Sequence, residues 1–370
     1  MITHGRMLLG GGAETVARAG AKGNSFDSDL PAASELPPAL HFESRTAAFE
    51  VLLARRSAKQ ETVHQQLLAQ GVRPHTHTEA GKRFKKAVRE THAKNMDSCS
   101  PEGFANIKDL AELLSNAGEG LGQWWQQKGQ LRYIKHGQWG IFGKHYNDTK
   151  INFIHKYLCE YQKKRPIQRI CELGFMAGNS ALLFLETIKQ ARLVSFDLGD
   201  CPWTRPLGDL MHASYGPRFE LVVGLSNNTV HSYGKEHPEL RCDVVFVDGS
   251  KYPDPRLQDL YNFRTLSRSG TVLFYDEAAT MPCVKASVPS NSPLCGTSDH
   301  GMGRAARAYN IAARQELVRV VDCEWPRPMC SRGMVNVEGE KPGTTAWTDC
   351  KGGIVGYTRV EDGSCVAEYV

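Results

Sequence analysis

The spacing of apolar and polar residues changes at about residue 150. Short apolar runs follow at Arg169–Phe175, Arg192–Leu198, Phe219–Gly224, Cys242–Val247 and Thr271–Tyr275. Helix-length segments separate them, at 178–190, about 204–214, about 228–238 and 256–267. Runs with so few polar interruptions suit strands buried on both faces of a parallel sheet. Strand–helix alternation predicts a doubly wound α/β fold with right-handed crossovers. A helical stripe, Ile151, Phe153, Ile154, Tyr157 and Leu158, leads into the first strand. After the fifth strand come a long loop at 279–301, a helix at 303–316, and two more strands, Val318–Cys323 and Ile354–Val360. The sequence thus predicts a seven-stranded, mostly parallel sheet closed at one edge by an antiparallel hairpin.

Before residue 150 the pattern is different. Residues 1–40 are rich in Gly, Ala, Ser and Pro without a sustained hydrophobic period, and read as a disordered leader. Phe49, Leu52, Leu53, Val63, Leu67 and Leu68 recur among charges and predict a helix over about 42–69, ended by Gly71 and Pro74. Lys82, Arg83, Lys85, Lys86 and Arg89 follow over two to three turns. Such a stretch suits either an anionic surface or an ordinary solvated helix face. Another helix fits 104–117, and the aromatic residues Trp124, Trp125, Tyr133, Trp139, Phe142 and Tyr146 then suggest a lid or a cover over one sheet edge. The expected division is a leader (1–40), a helical N-terminal extension or lid (41–148) and the α/β domain (149–370).

Composition narrows the classes. With 45 basic and 40 acidic residues the net charge is +5, a mild excess that does not argue for nucleic acid. No run of about 18 apolar residues predicts a membrane span. No CxxC pair occurs, so a structural zinc site is not expected. Cys171, Cys242 and Cys323 lie in or beside apolar runs and read as small buried hydrophobes. With no secretory leader pattern, the expected compartment is reducing and cytoplasmic, with organelle targeting by the N-terminus, which carries Arg6, Arg18 and Lys22 against Glu14, as the alternative.

The candidate chemistry begins at the first strand-to-helix turn, Cys171-Glu172-Leu173-Gly174-Phe175-Met176-Ala177-Gly178-Asn179-Ser180. In open α/β sheets the ligand crevice lies beyond the carboxyl ends of the strands. Gly174 permits a tight turn close to a ligand, and Gly178 leaves room at the helix N-terminus. The turn lacks the G-x-G-x-x-G of a dinucleotide site. Glu172 would repel a pyrophosphate; it suits the ammonium of an amino-acid-bearing cofactor, directly or through water. Asp197, ending the second strand, suits two ribose hydroxyls, a device NAD enzymes share; a loop cap is its plainer role. Ser226 and Asn227 follow the third strand and suit either an adenine edge or a helix N-cap. Phe175, Asn179, Ser180, Leu198 and Asp248, the acid at the end of the fourth strand, complete the expected cofactor set.

In order and spacing these motifs resemble the class I S-adenosylmethionine-dependent methyltransferases. The stretch from about 150 to 326 is most similar to the small-molecule O-methyltransferases of the catechol and caffeoyl-CoA type. The resemblance implies a Rossmann-like methyltransferase fold, S-adenosyl-L-methionine as methyl donor and a hydroxylated small molecule as acceptor. Neither a nucleic-acid partner nor an oligomer is specified.

The fourth and fifth strands end in Asp248-Gly249-Ser250-Lys251 and Asp276-Glu277. Three carboxylates, Asp248, Asp276 and Glu277, would converge there, and a hard divalent cation such as Mg²⁺ would make that tolerable. The metal-dependent relatives place Asp at the first two positions and commonly Asn at the third, where this chain has Glu277. Lys251 matches the general base of the catechol-type enzymes; its plainer role is a solvated loop residue, and that of Asp276-Glu277 the start of a loop. The competing readings are a metal-free N-methyltransferase or protein methyltransferase, an NAD-dependent oxidoreductase, and a non-catalytic module that kept the cofactor fold.

Overall fold

The computed structural model describes residues 40–69, 78–127, 148–250, 252–276, 308–309, 311–324, 334–336, 345–348, 354–356 and 364–370. The chain divides into two units, Met1–Glu50 and Val51–Val370. In the first, the described residues are the opening turns of helix α1 (Leu40–Ala69). All that follows concerns the second.

Its main sheet has seven strands, β1 (Arg169–Leu173), β2 (Arg192–Asp197), β3 (Phe219–Val223), β4 (Val244–Val247), β5 (Val272–Tyr275), β6 (Val318–Glu324) and β10 (Ser364–Tyr369). They lie in the order β3-β2-β1-β4-β5-β10-β6. The first five pair in parallel, and β10 runs antiparallel to both β5 and β6. Between them run α5 (Asn179–Thr187), α6 (Thr204–Tyr215), α7 (Ser226–Glu236) and α8 (Pro253–Thr265), preceded by α4 (Asp148–Lys164). Side-chain alternation sends each strand's residues into two cores. Ile170, Leu193, Val244, Phe246, Val272 and Phe274 meet α4, α5 and α6 on one face. Leu173, Phe196, Val245, Val247 and Tyr275 meet α7 and α8 on the other.

Helices α2 (Glu79–Lys94) and α3 (Pro101–Gln127) belong to the first of these cores. Phe84 and Val88 of α2 and Ile107, Leu110 and Leu114 of α3 are buried at helical spacing. The basic residues Lys82, Arg83, Lys86 and Arg89 are exposed on the opposite side of α2, a solvated face. Glu186 of α5, itself buried, accepts hydrogen bonds from Tyr215 Oη (2.7 Å) and lies 3.0 Å from His92 Nε2, so α2, α5 and α6 share one polar anchor.

Two expectations are corrected. The last sheet strand is Ser364–Tyr369; Ile354–Gly356 (β9) instead joins β7 (Met334–Asn336) and β8 (Thr345–Thr348) in a separate three-stranded sheet. The run 354–360 has the stronger β-branched pattern, but the open edges of β5 and β6 accept 364–369, where Arg319 stands opposite Glu368 in register and pairs with it at 2.5 Å. Cys171 and Cys242 are buried as expected, yet they are bonded to each other, and Cys99 is bonded to Cys159. Adjacent parallel strands bring the first pair together from 71 residues apart, a proximity that local hydrophobicity does not report. No described helix is long and apolar enough to cross a membrane.

Candidate functional site

Strands β2 and β3 lie to one side of β1, and β4 and β5 to the other, so the switch point falls between β1 and β4. The backbone after β1 turns there in a conformation that favours glycine. Gly174 has φ 100°, and a Cβ on it would stand 2.3 Å from the backbone oxygen of Asp248. Gly178 has φ 85° and caps α5, with the Phe175 ring filling the space its side chain would need. The N–H of Gly174 donates to Phe196 O (2.8 Å) and that of Asp248 to Leu173 O (2.8 Å), so the bend is tied to both neighbouring strands.

Asp197 meets the bend on the same rim. Its Oδ2 accepts the N–H of Met176 at 2.8 Å and its Oδ1 the N–H of Gly199 at 2.7 Å. Burial pushes its carboxyl above the usual range, while those two amides favour the charged form. Met176 was not singled out in the sequence. It has φ 49°, is 41% exposed, and its carbonyl accepts from Thr204 Oγ1. A left-handed non-glycine residue leaves no pattern in a sequence, so no signal could have found it.

Glu172 is fully buried beneath the bend. It stands in register with Ser195, whose hydroxyl donates to Oε2 at 2.6 Å. Burial pushes its carboxyl up to about 7, against the opposing pull of the Ser180 and Ser195 hydroxyls. Asn179 and Ser180 open α5, and Leu198 follows β2 at the rim. The Phe175 ring is buried against Phe219, with centroids 5.4 Å apart. Ser226 donates to Asp259 Oδ1 at 2.5 Å, and Asn227 accepts from Asn262 at 3.3 Å. Both side chains thus turn toward α8.

At the far side of the bend, β4 and β5 are in register at Val247 and Tyr275, so Asp248 and Asp276 are the next residues on adjacent strands. Asp276 pairs with Lys150 of α4, Nζ to Oδ1 at 2.6 Å, with side chains 21% and 8% exposed. Asp248 lies 3.9 Å from Nη2 of the fully buried Arg256 of α8, whose guanidinium stacks over the Tyr275 ring. Lys150 was missed because it comes from a helix remote in sequence, and Arg256, eight residues after Asp248, because a helical arginine reads as solvated until packing buries it. Lys251 and Glu277 lie outside the described residues, as does the long loop expected at 279–301.

For an amino-acid-bearing nucleoside, the bend is lined with acid, the charges of Asp197 and Asp248 both reaching Glu172 beneath it. That surrounding suits a cationic ligand and opposes a pyrophosphate. The residues fit such a cofactor. For a divalent cation the expected trio was Asp248, Asp276 and Glu277. The first two already face cationic side chains, and among the described residues no three His, Cys, Asp or Glu side chains could hold a metal. The two described carboxylates, each beside a cationic side chain, are too few to hold a metal by themselves.

A family described as "Methyltransferase domain" matches residues 171–278. No curated protein matches the chain. Among solved structures, the O-methyltransferase of Bacillus cereus in complex with SAH is similar over 68% of this chain and 90% of its own, at 15% identity and TM-score 0.39. The O-methyltransferase TomG of Streptomyces achromogenes, in complex with SAM, is similar over 59% and 79%, at 19% identity and TM-score 0.38. The methyltransferase PaMTH1 of Podospora anserina, bound to SAH, is similar over 61% and 83%, at 16% identity and TM-score 0.37. At such identities and scores, likeness transfers neither substrate nor residue roles.

Proposed function

We propose that this chain, whose residues 171–278 match a family described as "Methyltransferase domain", is a class I S-adenosylmethionine-dependent methyltransferase that moves the donor's methyl group to a hydroxyl oxygen of a small molecule. One observation carries the reading: the glycine bend and the acid ending β2 meet at one rim, Met176 N–H to Asp197 at 2.8 Å. A nucleoside seated there has the Asp197 carboxylate for its ribose, the backbone of Gly174 and Gly178 beside its chain, and the α5 N-terminus at Asn179 and Ser180 for its carboxylate. Glu172 supplies negative charge beneath the ammonium. Ser226 and Asn227, held toward α8, shape the loop after β3, with Phe175 and Leu198 as packing around the seat.

The donor supplies a methyl group on a sulfonium, which departs as a neutral thioether when an oxygen attacks in line. The chain's part is to place that oxygen and to take its proton. A neutral hydroxyl is a weak nucleophile, so a base beside it contributes to the rate. Lys251, three residues after Asp248, is the candidate for that base, and Asp248 and Asp276 mark the rim where the acceptor would lie. The N-terminal helices then act as cover over the sheet face rather than as a separate module. A nitrogen acceptor is the alternative chemistry for the same seat.

Calorimetry tests the seat first. S-adenosylmethionine and its demethylated product should bind the full chain, Asp197→Ala should weaken both at least ~10-fold, and NAD should not bind. NAD binding in preference to the two sulfur compounds would overturn the reading. Mass-spectrometric screening of phenolic and other hydroxylated acceptors, with Lys251→Met compared against wild type, then tests the chemistry.

A further inference from the structure

The acids that end β4 and β5 are the part of the site whose charge most needs a partner, and the fold provides one from an unexpected direction. Helix α4 begins at Asp148, and its buried stripe, Ile151, Ile154 and Leu158, sets its rotation against the sheet. That rotation brings Lys150 over the end of the sheet, its Nζ 5.9 Å from the Phe246 ring centroid and 2.6 Å from Asp276 Oδ1. Both side chains are mostly withdrawn from water, where an ion pair is screened little.

We propose that Lys150 takes, at Asp276, the place a divalent cation would occupy, so that this carboxylate is balanced without a metal. The physical ground is exclusion. A cation ligated by Asp276 would sit about 2.1 Å from a carboxylate oxygen, hence within roughly 5 Å of an ammonium held at hydrogen-bond distance from the same group. Two extra positive charges there are repelled by Lys150, and the lysine cannot withdraw without leaving the favourable pair. On the other strand, the guanidinium of Arg256, 3.9 Å from Asp248, adds a weaker repulsion against a cation there. Lys150 is thus a positioning residue: it holds Asp276 in place and keeps the rim from collecting metal. The consequence that methyl transfer runs without metal rests on the proposed function; the exclusion itself does not.

The experiment is titration of the full chain with Mn²⁺, followed by calorimetry and by the electron-spin signal of the free ion. Wild type should show no saturable site at millimolar Mn²⁺. Lys150→Met, which keeps the stem and removes the charge, should gain one and bind Mn²⁺ at least ~10-fold more tightly. Adding Asp276→Asn to Lys150→Met should abolish the new site. A wild-type site lost in Asp276→Asn alone overturns the proposal, and so does a Lys150→Met protein that is folded by circular dichroism yet gains no site. A parallel methyl-transfer assay in chelator should run at the wild-type rate. Failure to find transfer to any acceptor would count against the proposed function and leave the Mn²⁺ result standing on its own.

Discussion

Glu172 is a carboxyl with no surface, and its position predicts how stability depends on pH. Its ordinary value of 4.5 is pushed up to about 7, chiefly by burial. Below 4.5 the group is neutral in both folded and unfolded chains. Between 4.5 and about 7 the unfolded chain has released the proton while the folded one retains it, so stability falls as pH rises and levels off above 7. The whole drop is on the order of 3 kcal/mol. Glu172→Gln should flatten this slope, measured by urea denaturation from pH 4.5 to 8. The fully buried Asp259, also pushed up to about 7, contributes a slope of the same sign, so the comparison is cleanest in an Asp259→Asn background. A Glu172→Gln protein with an unchanged slope would show that the carboxyl is not held neutral by burial. An ammonium bound above Glu172 would favour its charged form, so the same residue links cofactor capture to proton release near pH 7.

Helices α2 and α3 were expected as an extension or lid, and they pack as part of the sheet's helical layer. Leu114 of α3 is 1% exposed, and its Cδ2 is 3.6 Å from where a Cβ on Gly178 would lie. This element therefore bears on the bend itself. Leu114→Ala should destabilise the protein by about 3 kcal/mol, the usual cost of emptying a core site. Lys86→Ala, on the solvated face of α2, should change stability by less than about 0.5 kcal/mol. Thermal melts of the two variants check both. An equal, small effect would mean that α3 is not part of the cooperative unit. The amphipathic period of α2 and α3 was legible, because core and solvent impose it on every turn. Their partners were not, because the period names a buried face without naming what buries it.

At the scale of the whole molecule, disulfides cross-link the second unit. The Cys99–Cys159 bond joins the segment before α3 to α4 across 60 residues. Closing a loop of that length stabilises a fold by about 4 kcal/mol in the chain-entropy account. Cys99→Ser with Cys159→Ser should lower the melting temperature, and a reductant should shift wild type but not this double variant at that bond. A double variant melting with wild type would show that the bond adds nothing. The Lys150–Asp276 pair spans about twice that separation along the chain, from α4 to the end of β5.

Local pattern by itself determined the five parallel strands to within a residue or two, the helices between them, the bend at Gly174–Gly178 and the acid at Asp197. Each of these is dictated by near neighbours: alternation by the pleat, helical period by one buried face, glycine by a left-handed backbone, and the acid by its place at a strand end. Tertiary structure alone decided which segment closes the sheet, which cysteines pair, that Ser226 turns to Asp259, and that Lys150 reaches Asp276. Those outcomes depend on distances between residues far apart in the chain. Such distances exist only once the layers have packed, and no stretch of the sequence encodes them locally.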